Sequence, residues 1–252
     1  MIVLYDIPSK QPGISWNPNI LKARLTLNYK RIPYRTEWVE CPDIESKCKE
    51  IGIPSTRTKP DGSPMYTLPA IWDPATKTGV AESYLIAKYL DKTYPDTPPV
   101  LFDGIEEYDD VINGSPEMPE LKPLVRFIVA AVPFLLNPVS SEYYIRTKEA
   151  FLGIKWTDMM PKGQEKEEAW RSIKKGFDII ADSLQKKGKL LGHAEQLSYL
   201  DVVLGARVHG LGFIWGKDSE LWRDMLTWNN GLWGKYVEET GRYYAGSSLG
   251  VI

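Results

Sequence analysis

The sequence predicts an α/β unit followed by an all-α unit, and three observations carry that expectation. Strand and helix signals alternate through about residue 95. A stretch rich in Pro, Gly, Asp and Glu, Tyr94–Glu120, then interrupts them. Beyond Leu121 strand signals vanish and helical periodicity takes over. The chain of 252 residues is long enough for two such units with real cores.

Each element has its own signal. "MIVLYDI" is a short apolar run and reads as a first strand. The loop that follows carries Pro8, Pro12 and Gly13 and ends at Asn17-Pro18. Proline is at home in the first helical position, so Asn17 reads as the cap of a helix over "NPNILKARLTLNYK". Ile20, Arg24 and Leu27 share one face there, with Leu21 and Leu25 beside it, which predicts an amphipathic helix. "YRTEWVEC" alternates in strand fashion, and "PDIESKCKEIG" opens with Pro-Asp and closes on Gly, a short helix. "YTLPAIWDPATKTGVA" reads as two strands around a turn at Pro74–Thr78. "ESYLIAKYLDKTYP" is a helix stopped by Pro95. The order β-α-β-α-β-β-α is a thioredoxin-type arrangement, an open sheet with helices on both faces. Units of this kind place their sites where helix N-termini point, and the loop holding Ser15 and Asn17 lies at such a place.

The expected division is 1–95 for the thioredoxin-like unit, 96–120 for a linker with an acidic excursion, and 121–252 for the helical unit. Helices are predicted over Leu121–Leu136 with a kink at Pro133, Ser141–Met160, Gln164–Lys187, Ser198–Gly212 and Ser219–Val237. "SYLD", Ser198–Asp201, reads as a capping box in which each side chain reaches the other's backbone N–H. Losing either side chain there costs about 0.5–2 kcal/mol. It is a folding feature without a catalytic role.

Composition excludes several partners. Net charge is −2, from 33 acidic against 31 basic side chains, so no polybasic field favours nucleic acid or an anionic membrane. The longest apolar run, Phe127–Leu136, contains a proline and is far shorter than the roughly 20 residues a spanning helix needs. The opening residues lack the pattern of a secretion signal, and the expectation is a soluble, cytoplasmic protein. Cys41 and Cys48 form neither a redox pair nor half a zinc site, and His193 and His209 are distant from both, so no metal is expected. Nine Trp and 14 Tyr against six Phe suit either an apolar wall with hydrogen-bonding handles or a Trp-rich core.

Three local motifs now add up. "TLPAI" at 67–71, "ESYLIAKYLDKTYP" at 82–95 and the Ser198/Asp201 box occur in order at suitable spacing. Together with the domain order they resemble the cytosolic glutathione transferases over nearly the whole chain. The long "SKQPGISWNPN" loop, "YTLPAIWDPATKT" and the abundant aromatics are most similar to the fungal etherase-related class, itself similar to bacterial β-aryl-etherases.

The resemblance implies glutathione as co-substrate and a homodimer. It identifies Leu68-Pro69 with the family's cis-proline segment, whose outward backbone pairs with an extended peptide as an added strand does. Glu82 and Ser83 look like the acidic-Ser pair that takes the γ-glutamyl end, the carboxylate at the helix mouth and the ammonium on Glu82. Plain capping is the competing explanation for both. Asn17 stands where many relatives carry a catalytic Ser or Cys, with Ser15 two residues earlier, and either is a candidate to stabilise the thiolate. No cysteine lies in residues 5–27, so Ser/Asn-type rather than Cys-type chemistry is implied. Arg57, Lys59 and Lys22 are open candidates for the glycyl carboxylate. Trp16, Tyr143 and Tyr144, with Phe213 and Trp215, are candidates for a second-substrate wall, although core packing explains such aromatics equally well. The function implied is thiolate attack on hydrophobic aromatic electrophiles, with binding of aromatic or polyphenolic ligands. A largely non-catalytic ligandin and a regulatory module on the same fold are the alternatives.

Overall fold

The computed structural model describes residues 1–59, 61–108, 118–186 and 196–245. Lys187, His193 and residues 109–117 of the acidic excursion lie outside them. The first unit is built on a four-stranded sheet in the order β2-β1-β5-β6. Strand β1, Ile2–Asp6, is buried along its whole length, as a central strand should be. It runs parallel to β2 (Tyr34–Trp38), reached through helix α1 (Pro18–Tyr29), with Leu4 opposite Thr36. It runs antiparallel to β5 (Ala70–Asp73), which pairs with β6 (Thr78–Ala81). Helix α2 (Ile44–Glu50) follows a 3-10 turn at Cys41–Asp43, and α3 (Ser83–Thr93) closes the unit.

A small hairpin, β3 (Arg57–Thr58) with β4 (Pro64–Met65), is absent from the predicted element order. Strands of two residues leave no alternation to read. Asp73 ties the β5–β6 turn to α3, accepting from Tyr89 at 2.7 Å and Tyr94 at 2.6 Å. Burial works against its charge, but those hydrogen bonds and the Ala75 N–H hold its pKa below the ordinary value.

Helix α1 departs from its amphipathic reading. Every side chain from Ile20 to Leu27 is buried, Lys22, Arg24 and Thr26 included. The cause is its position, packed against α7 (Tyr199–Trp215) and α8 (Glu220–Ala245) of the second unit and against α3 of the first. Its charges are therefore met inside the protein. Arg24 Nη2 lies 2.8 Å from Asp6, and Lys30 Nζ lies 2.6 Å from Asp91.

The second unit is helical: α4 (Leu124–Leu135), α5 (Pro138–Leu152), α6 (Gly163–Lys186), α7 (Tyr199–Trp215) and α8 (Glu220–Ala245). Pro133 falls in the last turn of α4, which ends two residues later. Helix α5 stops well before Met160, at Gly153, whose φ of 67° is a left-handed cap. Helix α8 extends past Val237 but breaks at Trp228–Gly231, where Asn229, Asn230 and Gly231 take φ of 53°, 57° and 77°. The capping box is formed as read, with Asp201 N 3.3 Å from Ser198 Oγ and Ser198 N 2.9 Å from Asp201 Oδ2. Among the described residues no helix is long and apolar enough to cross a membrane.

One close approach fixes the joint between the units. A Cβ on Gly210 of α7 would lie 2.4 Å from Pro18 Cγ. Only a glycine there lets the first turn of α1 seat on α7. The loop before α1 is held from the other side, with Lys10 N 2.8 Å from Leu135 O at the end of α4.

Candidate functional site

Asn17 caps α1 with extended backbone, φ −77° and ψ 119°, and its Oδ1 accepts from Asn19 N at 2.9 Å. The side chain is half-exposed, and its Nδ2 makes no hydrogen bond among the described residues. Ser15 is buried, and its Oγ has no partner at good hydrogen-bond geometry. The hydroxyl nonetheless approaches Asp6 closely enough to help hold that carboxylate's pKa down. Trp16, beside it, is also buried, with its indole N–H unpaired among the described residues. A buried donor left wholly without a partner costs about 1–3 kcal/mol.

Behind the loop, Asp6 and Arg24 form its anchor. Asp6 accepts from Ile7 N at 2.7 Å as well as from Arg24, whose Nη2 also donates to Thr36 at 2.9 Å. Burial pushes the Asp6 pKa up and the Arg24 contact opposes it; Arg24 in turn keeps its charge through Asp6 and Tyr34.

The second part of the site is the edge before β5. The Leu68-Pro69 bond is cis. Leu68 belongs to neither sheet, and its N–H and C=O make no backbone hydrogen bond among the described residues. Glu82, at φ 71°, holds its N–H 3.3 Å from Pro69 O and places Ser83 as the first residue of α3. A non-glycine residue at that φ is strained backbone, a feature that clusters at binding sites. Ser83 Oγ accepts from Tyr199 OH at 3.0 Å, a bond from the first turn of α7 across to the first turn of α3. Burial pushes the Tyr199 hydroxyl well above its usual pKa, so it stays a donor.

The basic candidates separate. Lys22 is buried and donates to Asn19 Oδ1 at 3.1 Å, and burial first of all lowers its pKa to about 7. Arg57 is exposed on β3, and Lys59 lies 3.3 Å from Glu45. Sequence reasoning missed Tyr199 and Arg207. A signal existed for the second: "VVLGARVHGLG" sets one arginine in an apolar helical run, and a charge there is buried.

On the helical side, Tyr144 is half-buried against the first unit, with burial and the nearby Cys41 both raising its pKa. Tyr143 lies beside Arg146, 5.7 Å from ring centre to guanidinium. Phe213 and Trp215 are half-buried and pack against both cores, and Trp215 Nε1 donates to Phe127 O at 3.4 Å. The strand-to-helix corner at Glu40–Cys41 is tied to α5: Asn137 Nδ2 donates to Glu40 at 2.7 Å, Ser140 Oγ donates to Glu40, and Cys41 N donates to Ser140 Oγ at 2.7 Å. Burial pushes both cysteine thiols up in pKa, away from reactivity. Among the described residues no group of His, Cys, Asp or Glu is placed to hold a metal ion.

Comparison with known proteins gives the family. The family model "Glutathione S-transferase, N-terminal domain" matches residues 16–93, and "Glutathione S-transferase, C-terminal domain" matches residues 117–243. The chain belongs to the glutathione S-transferase family. Members of the family use glutathione as co-substrate. Among curated members, the glutathione S-transferase-like protein ustS of Aspergillus flavus is 30% identical, over 93% of this chain and 89% of that protein. A glutathione S-transferase of Ceriporiopsis subvermispora, CsGST63524, solved in complex with glutathione, is 42% identical. It superposes with a TM-score of 0.89 over 96% of this chain and 97% of its own. GSTFuA3 of Phanerochaete chrysosporium is 39% identical with a TM-score of 0.87, over 96% of each chain. Within the family, the likeness is thus to fungal enzymes of the FuA class.

Proposed function

We propose that the protein is a glutathione transferase of the Ser/Asn type, which lays glutathione along Leu68 and presents its thiolate to hydrophobic, aromatic electrophiles. One observation carries this reading. The unpaired backbone edge at Leu68 is accompanied by two helix N-termini, that of α1 at Asn17-Pro18 and that of α3 at Glu82-Ser83. An extended tripeptide adds to such an edge as a strand does. Its γ-glutamyl carboxylate meets the Ser83 hydroxyl and the free N–H groups of α3, its ammonium meets Glu82, and its sulfur faces the N–H groups that open α1.

Asn17 is the better donor to sulfur of the two candidates. Its Nδ2 is unengaged and half-exposed, whereas the Ser15 hydroxyl is shut away from solvent beside Asp6. Ser15 is then a positioning residue, setting the loop through Asp6. Lowering a thiol pKa from about 8.5 to 6.5 raises the thiolate fraction at pH 7 roughly 25-fold, under 2 kcal/mol, and proximity must supply the rest. Cysteine chemistry does not fit: the loop itself carries no cysteine, and burial pushes the Cys41 and Cys48 thiols up. Trp16, Tyr143 and Tyr144 form the wall proposed for the aromatic partner. The homodimer and the cytoplasmic location rest on family likeness. The ligandin reading uses the same wall without an activated sulfur.

Conjugation of a chloronitrobenzene tests the assignment. Asn17→Ala should lower kcat/KM about 10- to 100-fold and raise the apparent pKa of the rate profile, the loss expected for a hydrogen bond to a charged group. Ser15→Ala should cost much less, with the pKa unmoved. Unchanged turnover in the double variant contradicts the mechanism. Tight binding of phenolic ligands beside negligible conjugation would favour the ligandin.

A further inference from the structure

The loop that precedes α1 is gathered at both of its ends by one carboxylate. Asp6, the last residue of β1, is fully buried and accepts from Ile7 N at 2.7 Å, where the loop begins. The Ser15 hydroxyl approaches the same carboxylate where the loop ends, two residues before Asn17. Asp6 also stands one step beyond the last β1–β5 pair, Tyr5 with Ala70, which puts it level with Pro69 of the cis segment. It therefore lies beside both parts of the proposed glutathione site, the mouth of α1 and the Leu68 edge.

That shape has an electrostatic cost. A buried negative charge beside the loop repels a thiolate bound there and favours the protonated thiol. Arg24 meets the charge from the middle of α1, with Nη2 2.8 Å from Asp6 Oδ2. Strand β2 fixes the guanidinium: Nη2 also donates to Thr36 at 2.9 Å, and Nη1 donates to Tyr34 OH at 3.2 Å. The ring centres of Tyr34 and Trp38 lie 5.6 and 5.9 Å from its central carbon. The Arg24 side chain is 5% exposed and that of Asp6 0%, so salt and water screen neither charge. The titratable groups facing the pair are Tyr34 from β2 and Tyr244 from α8. Burial raises the pKa of both, so each stays neutral through the range in which a thiol ionises. A buried ion pair adds little net stability, because desolvation offsets its attraction. Two enclosed charges at the base of a site are better explained by what they do to the site.

We propose that Asp6 shapes the loop and that Arg24 is a positioning residue for the thiolate, cancelling the Asp6 charge that would otherwise oppose ionisation of the sulfur. The inference rests on the glutathione reading above and adds to it a residue that acts through Asp6 rather than on the ligand. It carries a sign that a purely structural role does not. If the pair only anchored the loop, losing either partner would let the donors to sulfur drift and would raise the thiol pKa. Charge cancellation moves that pKa in opposite directions for the two partners. A unit charge about 10 Å from a thiol, at an effective dielectric of about 20, shifts its pKa by about one unit.

The test is a pH titration of bound glutathione, read as the near-ultraviolet absorbance of its thiolate relative to free glutathione. Asp6→Asn keeps an oxygen for Ile7 N and removes the charge, leaving the permanently charged Arg24 unopposed. Its midpoint should fall about half a unit to one unit below that of the unaltered protein. Arg24→Gln should raise the midpoint by a similar amount. Arg24→Lys keeps the charge without the forked contacts and should stay nearer the native value than Arg24→Gln. A midpoint unmoved or raised in Asp6→Asn overturns the proposal. Where Asp6→Asn does not fold, equal midpoints in Arg24→Gln and Arg24→Lys overturn it. A midpoint at the free-thiol value of about 8.5 in the unaltered protein, with glutathione bound, overturns instead the thiolate reading on which the proposal rests.

Discussion

At the scale of single residues, the first helix and the helix it rests on hold their charges and polar groups inside. Lys30 on Asp91, Arg24 on Asp6 and His209 on Thr240 each meet a partner from another element. His209 gives this a measurable consequence. Its Nε2 lies 2.9 Å from Thr240 Oγ1 and its ring centre 3.9 Å from that of Tyr244. Burial, with the Lys217 charge adding, lowers its pKa from the ordinary 6.5 to about 4. The folded state therefore prefers the neutral ring. That contribution is complete above the unfolded pKa of about 6.5 and is lost as pH falls toward about 4. Urea midpoints followed across that window should fall more steeply for the native protein than for His209→Gln. Parallel falls would show that the ring is not buried neutral. None of these partners was legible in the sequence, because residues far apart in the chain supply them; only the isolated arginine in "LGARVHG" announced a half-buried charge.

At the scale of elements, α1 is legible in its span and not in its surroundings. Asn17-Pro18 marks its start and the apolar spacing marks a helix, but nothing in twelve residues says that three neighbouring helices will cover it. The fit with α7 depends on Gly210. In an open helical position, alanine in place of glycine stabilises by up to about 1 kcal/mol. Here the new Cβ would press on Pro18 Cγ at 2.4 Å, and a proline ring cannot swing aside. Gly210→Ala should therefore destabilise by about 1–3 kcal/mol and, by displacing the first turn of α1, lower kcat/KM more than it lowers substrate affinity. A more stable variant with unchanged kinetics would mean the seat is not strained. The same scale shows which boundaries a reader of sequence could have placed better. Gly153 and the Asn229-Asn230-Gly231 run are left-handed turn residues, and they end α5 and break α8 where apolar periodicity alone runs on.

At the scale of the whole molecule, the element order and the capping box were readable because each is a local pattern with a fixed physical requirement, and the cis proline because its segment resembles the family's. The β3–β4 hairpin and the Tyr199–Ser83 bond were not, the first too short and the second made only when two units meet. The account joins the units around one idea, that a thiol-bearing tripeptide lies between the first turns of α1 and α3 and ionises there. Spectroscopic titration of the protein's bound glutathione follows the near-ultraviolet absorbance of its thiolate against pH, and it tests that idea directly. The account predicts a midpoint one to two units below the value of about 8.5 for a free thiol, moving back toward it in Asn17→Ala. A midpoint at the free value in the native protein, with glutathione demonstrably bound, would contradict it.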